Sequence, residues 1–379
     1  MQLRIHESLK PDLEAEVAKV VDAQIASRLG AKDDSIWGPA AKAEAAKRLG
    51  WIDSPKTSVD LIPEILKLRD HFRDLGVDRI VLCGMGGSSL APEVIAKNTG
   101  HEIVILDSTA PDQVLSAVRE LERTAVVVSS KSGATVETDS QKRAFESSFV
   151  AAGLDPTKRI VVVTDPGSPL DTASRADGYR VFNADPDVGG RYSALTAFGL
   201  VPAGLAGADI ASLLASASMV SFGLSEDSTD NPAIWLGVAL AATPGIGQSR
   251  DKFLIETDGL PGFGDWVEQL VAESTGKQER GILPVVVTGS APEIQDLPTD
   301  TIFIRFSDSM PGAEHLTFSG SLGELFLLWE YATAIAGYLM QINPFDQPDV
   351  ESAKIAARAL LDSPGVEVAA GHVDRGITV

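Results

Sequence analysis

The stretch RIVLCGMGGSSLAP, residues 79–92, decides the fold. Ile80–Cys83 is a short apolar run; Gly84, Gly86 and Gly87 follow with Ser88 and Ser89, and a helical stretch takes over. This order reads as a buried strand, a tight loop and a helix. A loop with so little side-chain bulk lets backbone N–H groups close on an anion, while the helix N-terminus adds partial positive charge. It is a candidate phosphate cradle. The plainer alternative is a strand-to-helix turn that needs glycine only for its backbone angles.

Outward from that loop the same pattern recurs. EIVILD (102–107), TAVVVSS (124–130), RIVVVTD (159–165) and YRVFN (179–183) are apolar strands mostly separated by helical stretches, which predicts a parallel sheet covered on both faces. With strand order 2-1-3-4-5, the first and third strands flank the crevice where such sheets bind ligands. The loop after the third, SSKSGATVET (129–138), offers Ser130, Lys131, Ser132 and Thr135, three hydroxyls and an ammonium just before a helix. Helix capping by Ser132, with Thr135 and Glu137 in the first turn, is the other use for these residues. After the fifth strand, DPDVGGRYSALTAFGLVPAGLAG (185–207) sets Arg191 beside Gly189 and Gly190, as a surface residue or as a guanidinium aimed into a cleft.

Upstream, Leu13, Val17, Val21, Ile25 and Leu29 recur every four residues before Gly30, which predicts one amphipathic helix. Further helices are expected over 40–49 and along Leu61, Ile65, Leu68, Phe72 and Leu75. Downstream, the polar linker SEDSTDNP (225–232) leads into a second round of αβ pattern. It comprises helix NPAIWLGVALAAT, strand DKFLIET, helix DWVEQLVAES, strands ILPVVVTG and DTIFIRF, and the long helix SLGELFLLWEYATAIAGYLMQ. The expected class is therefore α/β, with two flavodoxin-like αβα sandwiches of parallel sheet. The expected boundaries are a helical lead-in over 1–76 packed on the first domain, a first domain over 77–207 and a second over 208–379 with C-terminal helices. Residue identities alone do not establish an internal repeat.

Composition excludes several classes. A formal net charge of −21 argues against nucleic acid and acidic membrane surfaces as partners, since both need a basic face. The single cysteine, Cys83, rules out an internal disulfide and reads as a buried thiol at the end of a strand. The opening MQLRIHESLKPDLEAE shows no signal-peptide core and no run reaches transmembrane length, so a cytoplasmic protein is expected. The five scattered histidines form no metal-ligand spacing with acidic residues, and neither metal nor cofactor is expected.

Five segments, GMGGSSLAP, SSKSGATVET, VGGRYSA, EQLVAESTGK and INPFDQPDVESAK, resemble in sequence and order those of the glucose-6-phosphate isomerase family, which is built from two sugar-isomerase (SIS) domains. The resemblance implies an aldose–ketose isomerase acting on a sugar phosphate through a cis-enediolate, without cofactor and as a homodimer. It implies that Gly87, Ser88, Ser130, Lys131, Ser132 and Thr135 bind the phosphate, and that Arg191, Gln269, Glu273, Gln347 and Lys354 line the reacting carbons. Glu273 would be the base, Arg191 the cation facing the enediolate, and Lys354 the group that assists ring opening. By residue pattern alone, Glu273 is a helix-end glutamate and Lys354 a lysine on a final amphipathic helix.

Two departures stand out. Longer family members carry a G-Q-H segment whose histidine comes from the partner subunit; no G-Q-H occurs between Lys277 and Gly320, where the only histidine is His315, in a stretch that reads as exposed loop. The phosphate loop has SSKSGAT where longer members have S-K-T-x-x-T. The compact form resembles the isomerase half of transaldolase–isomerase fusions. Two other readings compete. A dinucleotide-dependent oxidoreductase would use GMGGSS and Asp107, although Ser89 stands where the third glycine belongs; a non-catalytic SIS module would bind a phosphosugar and regulate a partner.

Overall fold

The computed structural model describes residues 1–241, 250–309, 316–348, 355–356, 359–360, 373–374 and 377–378. In chain order its main strands are β1 (Gln2–Ile5), β2 (Arg79–Gly84), β3 (Val104–Leu106), β4 (Thr124–Ser129), β5 (Ile160–Thr164), β6 (Arg180–Asn183), β7 (Lys252–Glu256), β8 (Leu283–Val287), β9 (Thr301–Phe306) and β10 (Leu316–Ser319). The chain divides into two compact units, Met1–Phe345 and Asp346–Val379. In the second, Val373–Asp374 pairs antiparallel with Ile377–Thr378.

The first sheet is parallel throughout, in the order β3-β2-β4-β5-β6, which is the expected 2-1-3-4-5. Its central strands are buried on both faces because successive side chains alternate between two cores. Ile80, Leu82, Val127 and Val161 join the main core. Val81, Cys83, Val126 and Val128 pack with Phe145 and Phe149 on the opposite face. Cys83 is fully buried, and burial pushes its thiol far above the ordinary cysteine range, so it is no nucleophile.

The second sheet runs β1-β10-β9-β7-β8, with β8, β7, β9 and β10 parallel and β1 antiparallel at the edge. Its parallel part has the same 2-1-3-4 order as the first, so the chain repeats one topology even where its residues do not match. Three local expectations change. The first amphipathic stretch is two helices, Lys10–Asp22 and Ile25–Gly30, separated by Gln24 in the left-handed region at φ 55°. The 40–49 stretch forms only a single helical turn, Lys42–Ala45. A strand pair appears that was not expected: Gln2–Ile5 pairs with Leu316–Ser319, directly after His315 in the stretch that reads as exposed loop, His315 itself lying outside the described residues.

Candidate active site

β2 and β4 are neighbours with Gly84 paired to Ser129, so the two donor-rich loops leave the sheet side by side at its switch point. The first makes a 3₁₀ turn over Gly86–Ser88. Two glycines there are dictated by close approach. Gly86 has φ 54°, and a Cβ on it would lie 2.7 Å from Gln269 Nε2; a Cβ on Gly87 would lie 2.5 Å from the carbonyl oxygen of Gly190. The glycine loop, the arginine loop and the helix Phe263–Thr275 are thus packed against one another.

In the second loop, Thr135 stands at the N-cap of the helix Val136–Ala151, yet its side chain makes no capping bond. Its hydroxyl instead meets that of Ser130 at 3.0 Å, leaving both oriented by each other rather than by the helix end. Ser132 Oγ accepts from the Ala134 N–H at 3.3 Å. A cavity of about 210 Å³ opens here, lined among others by Ser130, Gly133, Thr135, Thr138 and Leu170, with none of Arg191, Gln269 or Glu273 in its wall. Lys131 is engaged elsewhere: Nζ donates to Asp165 Oδ2 at 2.7 Å and to the Pro186 carbonyl at 3.5 Å. Burial draws the Lys131 ammonium below the ordinary lysine range and the Asp165 carboxyl above the ordinary aspartate range, each opposed by the charge of the other.

Arg191 lies in the turn Gly190–Tyr192 and is 3% exposed, which settles the choice between surface and cleft. Its Nε donates to Ser274 Oγ at 3.0 Å, Nη2 to the Pro344 carbonyl at 3.0 Å and Nη1 to Glu273 Oε2 at 3.3 Å. Glu273 Oε1 accepts from Gln269 Nε2, one helical turn earlier, at 3.1 Å. Each carboxylate oxygen therefore has its own donor, and the side chain is still 31% exposed. A carboxylate in the last turn of a helix faces the negative end of the helix dipole, and the buried guanidinium offsets that repulsion. Arg191, Gln269 and Glu273 converge on the glycine loop. Lys354 lies outside the described residues, and Gln347 belongs to the second unit.

Sequence reasoning missed the residues that brace this group. Ser274, next to Glu273, and the Pro344 carbonyl complete the arginine's cage, and both were present in the quoted EQLVAESTGK and INPFDQ segments. The helical lead-in buttresses the arginine loop. Gly50 N–H donates to the Asp187 carbonyl at 3.1 Å, Arg48 Nη1 to the Pro186 carbonyl at 3.1 Å, and the Trp51 ring packs 5.2 Å from that of Tyr192.

Two α/β sheets, the first wholly parallel and the second parallel but for its edge strand β1, with a glycine loop at the switch point of the first and a guanidinium-held carboxylate on the helix Phe263–Thr275 packed against it, define an SIS-type sugar-isomerase fold. A family model described as Phosphoglucose isomerase matches residues 73–290. A glucose-6-phosphate isomerase of Citrifermentans bemidjiense is 33% identical over 351 residues, covering 76% of this chain and 66% of that one. One of Streptococcus pneumoniae is 27% identical over 396 residues, covering 84% and 88%. Among solved structures, a hypothetical protein of Thermus thermophilus superposes with a TM-score of 0.79 at 24% identity, covering 96% of this chain and 100% of that one. A glucose-6-phosphate isomerase of Chlamydia trachomatis does so with a TM-score of 0.68 at 22% identity, covering 79% and 73%. The chain belongs to the phosphoglucose isomerase family, and it is an aldose–ketose isomerase of glucose 6-phosphate and fructose 6-phosphate. The oxidoreductase and non-catalytic readings are not favoured.

Proposed function

We propose that Glu273 is the base of this isomerisation and Arg191 the cation that faces the developing oxyanion. The observation that carries the reading is the two-point hold on Glu273, by Arg191 and Gln269, directly over the glycine loop. With the open-chain sugar anchored by its phosphate on Ser130, Ser132, Thr135 and the Gly87–Ser88 turn, Glu273 takes the proton from C2 of the aldose and returns it to C1. Between those steps negative charge rests on the enediolate oxygens. A fixed, desolvated guanidinium stabilises that charge without reorganising. Lys131 contributes to anchoring through its charge at the same loop, and Lys354 and Gln347 keep the ring-opening and lining roles that the family resemblance implies.

Among the described residues no helix is long and apolar enough to cross a membrane. With the strongly acidic composition, this supports a cytoplasmic enzyme that uses neither nucleic acid nor membrane as partner. We take 77–207 and 208–379 as its two SIS halves and a homodimer as its working form, which sedimentation would check.

The deciding experiment follows glucose 6-phosphate formation from fructose 6-phosphate through its dehydrogenase. Wild-type protein is expected to turn over, and Glu273→Gln to lose roughly 10²–10⁴-fold in kcat while still binding 6-phosphogluconate. Solvent-derived label should also stop entering C2. If Glu273→Gln exchanges label at the wild-type rate, the base lies elsewhere.

A further inference from the structure

The segment that carries Glu273 and Ser274 runs on into a tight turn whose side chains the proposed chemistry leaves unused. Lys277, four residues after Glu273, is 4% exposed, and its Nζ donates to the Asn343 carbonyl at 2.7 Å. A lysine is rarely buried unless its donors are placed, so this position needs an account. The turn that holds it is itself constrained. Lys277 N–H donates to the Arg280 carbonyl and Arg280 N–H to the Lys277 carbonyl, both at 3.0 Å, and Gln278 and Glu279 between them each stand in the left-handed region at φ 57°. Two successive non-glycine residues there are strained, and such strain persists only where the surroundings enforce it. The surroundings are the end of the helix Leu322–Leu339 and the turn that follows it. Arg280 Nη1 donates to the Met340 carbonyl, Asn343 Oδ1 accepts from the Phe345 N–H at 3.0 Å, and a Cβ on Gly337 would lie 2.9 Å from Pro344 Cβ.

We propose that Lys277 is a positioning residue for the isomerase site: by holding the Asn343 carbonyl it fixes the next carbonyl, that of Pro344, which sets the Arg191 guanidinium against Glu273. The contacts close a ring. From Glu273 Oε2 the bonds pass to Arg191 Nη1 at 3.3 Å, from Arg191 Nη2 to the Pro344 carbonyl at 3.0 Å, across Pro344 to the Asn343 carbonyl, from there to Lys277 Nζ at 2.7 Å, and back along the backbone to Glu273. The bond from Arg191 Nε to Ser274 Oγ at 3.0 Å is a strut across that ring. Of these three acceptors on the arginine, the Pro344 carbonyl alone is backbone. A carboxylate or a hydroxyl can rotate to follow a wandering guanidinium, whereas a carbonyl in a clamped turn cannot, so the turn sets the plane of the arginine fork. Lys277 therefore acts through Arg191 and not on the substrate.

The inference rests on Arg191 and Glu273 being the reacting pair, and the test separates the two ideas. In the coupled assay, Lys277→Met, which keeps length and apolar packing but removes the donor, is expected to lower kcat about 10- to 100-fold with KM and 6-phosphogluconate affinity unchanged, because a displaced guanidinium weakens the transition state and not the phosphate anchorage. Arg280→Met removes the other clasp of the same turn, to Met340, and should lower the urea midpoint while leaving kcat within about twofold; a purely structural clasp would move both variants alike. Asn343→Ala frees the Phe345 N–H and loosens the same pair of carbonyls without touching a cation. It should repeat the kcat-specific loss, and so decides should Lys277→Met not fold. Because Lys277 acts through Arg191, Lys277→Met should cost little more in an Arg191→Lys background. Wild-type kcat in Lys277→Met or in Asn343→Ala, equal kcat losses in Lys277→Met and Arg280→Met, or additive losses with Arg191→Lys would each overturn the proposal. Wild-type turnover in Glu273→Gln would instead remove the base assignment.

Discussion

Lys131 shows how one side chain can serve two masters. Its ammonium sits at the loop proposed to hold the phosphate but is bonded to Asp165, whose Oδ1 is already buried without a partner. Lys131→Ala is expected to raise KM more than it lowers kcat, since phosphate contacts are shared by ground and transition states. It should also cost roughly 1–3 kcal/mol of stability, a buried-pair figure reduced because both side chains are about one-fifth exposed. The double variant Lys131→Ala/Asp165→Asn should recover stability without recovering KM; unchanged 6-phosphogluconate affinity in Lys131→Ala would remove the loop from the site. Glu330, 1% exposed in the helix Leu322–Leu339, gives a pH signature of its own. Its folded-state pKa is raised, so above the ordinary glutamate range the unfolded chain releases a proton that the native one keeps, and stability falls as pH rises. Glu330→Gln should therefore be more resistant to denaturant than the wild type at pH 7, with the difference closing as the pH drops below the ordinary glutamate range. A pH-independent gap between the two urea midpoints would contradict that.

At the level of elements, the site is a junction of three backbones: the Gly86–Ser88 turn, the Gly190–Tyr192 turn and the helix Phe263–Thr275. Gly87 is where they touch. A methyl group there would sit 2.5 Å from the Gly190 carbonyl oxygen, and backbone cannot swing aside as a side chain can. Gly87→Ala is expected to cost roughly 1–3 kcal/mol by overpacking and to lower kcat together with stability, read by urea titration and the coupled assay. The glycines were legible as a loop, and the parallel strands as strands, because fully buried β-structure leaves continuous apolar runs such as RIVLC and RIVVVTD. The reason for Gly87 was not legible, because its neighbour Gly190 lies a hundred residues away in sequence. The break at Gln24 was hidden for a different reason: the apolar spacing continues across it, and a single left-handed residue leaves no mark on that spacing.

Across the whole molecule, the parallel parts of the two sheets share one strand order, and the proposed base, Glu273, follows β7 of the second sheet while the glycine loop follows β2 of the first. Among the described residues no His/Cys/Asp/Glu group is suited to a metal, and the proton transfer proposed for Glu273 calls for none, so turnover in excess chelator is expected to equal turnover without it. Activity lost to chelator and restored by a divalent ion would refute this. The repeat was invisible in the residues because a sheet order constrains hydrophobic pattern, not identity. The edge strand β1 was missed because four residues carry too little periodicity, and its partner follows a stretch that reads as loop. That strand also sets a timetable for synthesis. The first sheet draws all its strands from residues 79–183 and can close as soon as they leave the ribosome, whereas Gln2 must wait for Ser319, so a strand made before the first sheet is paired only after it. Stalled nascent chains ending shortly after residue 300 should accordingly hold a protease-resistant first sheet while their N-terminal strand stays open to cleavage, and protection of that end should appear only once β10 has emerged.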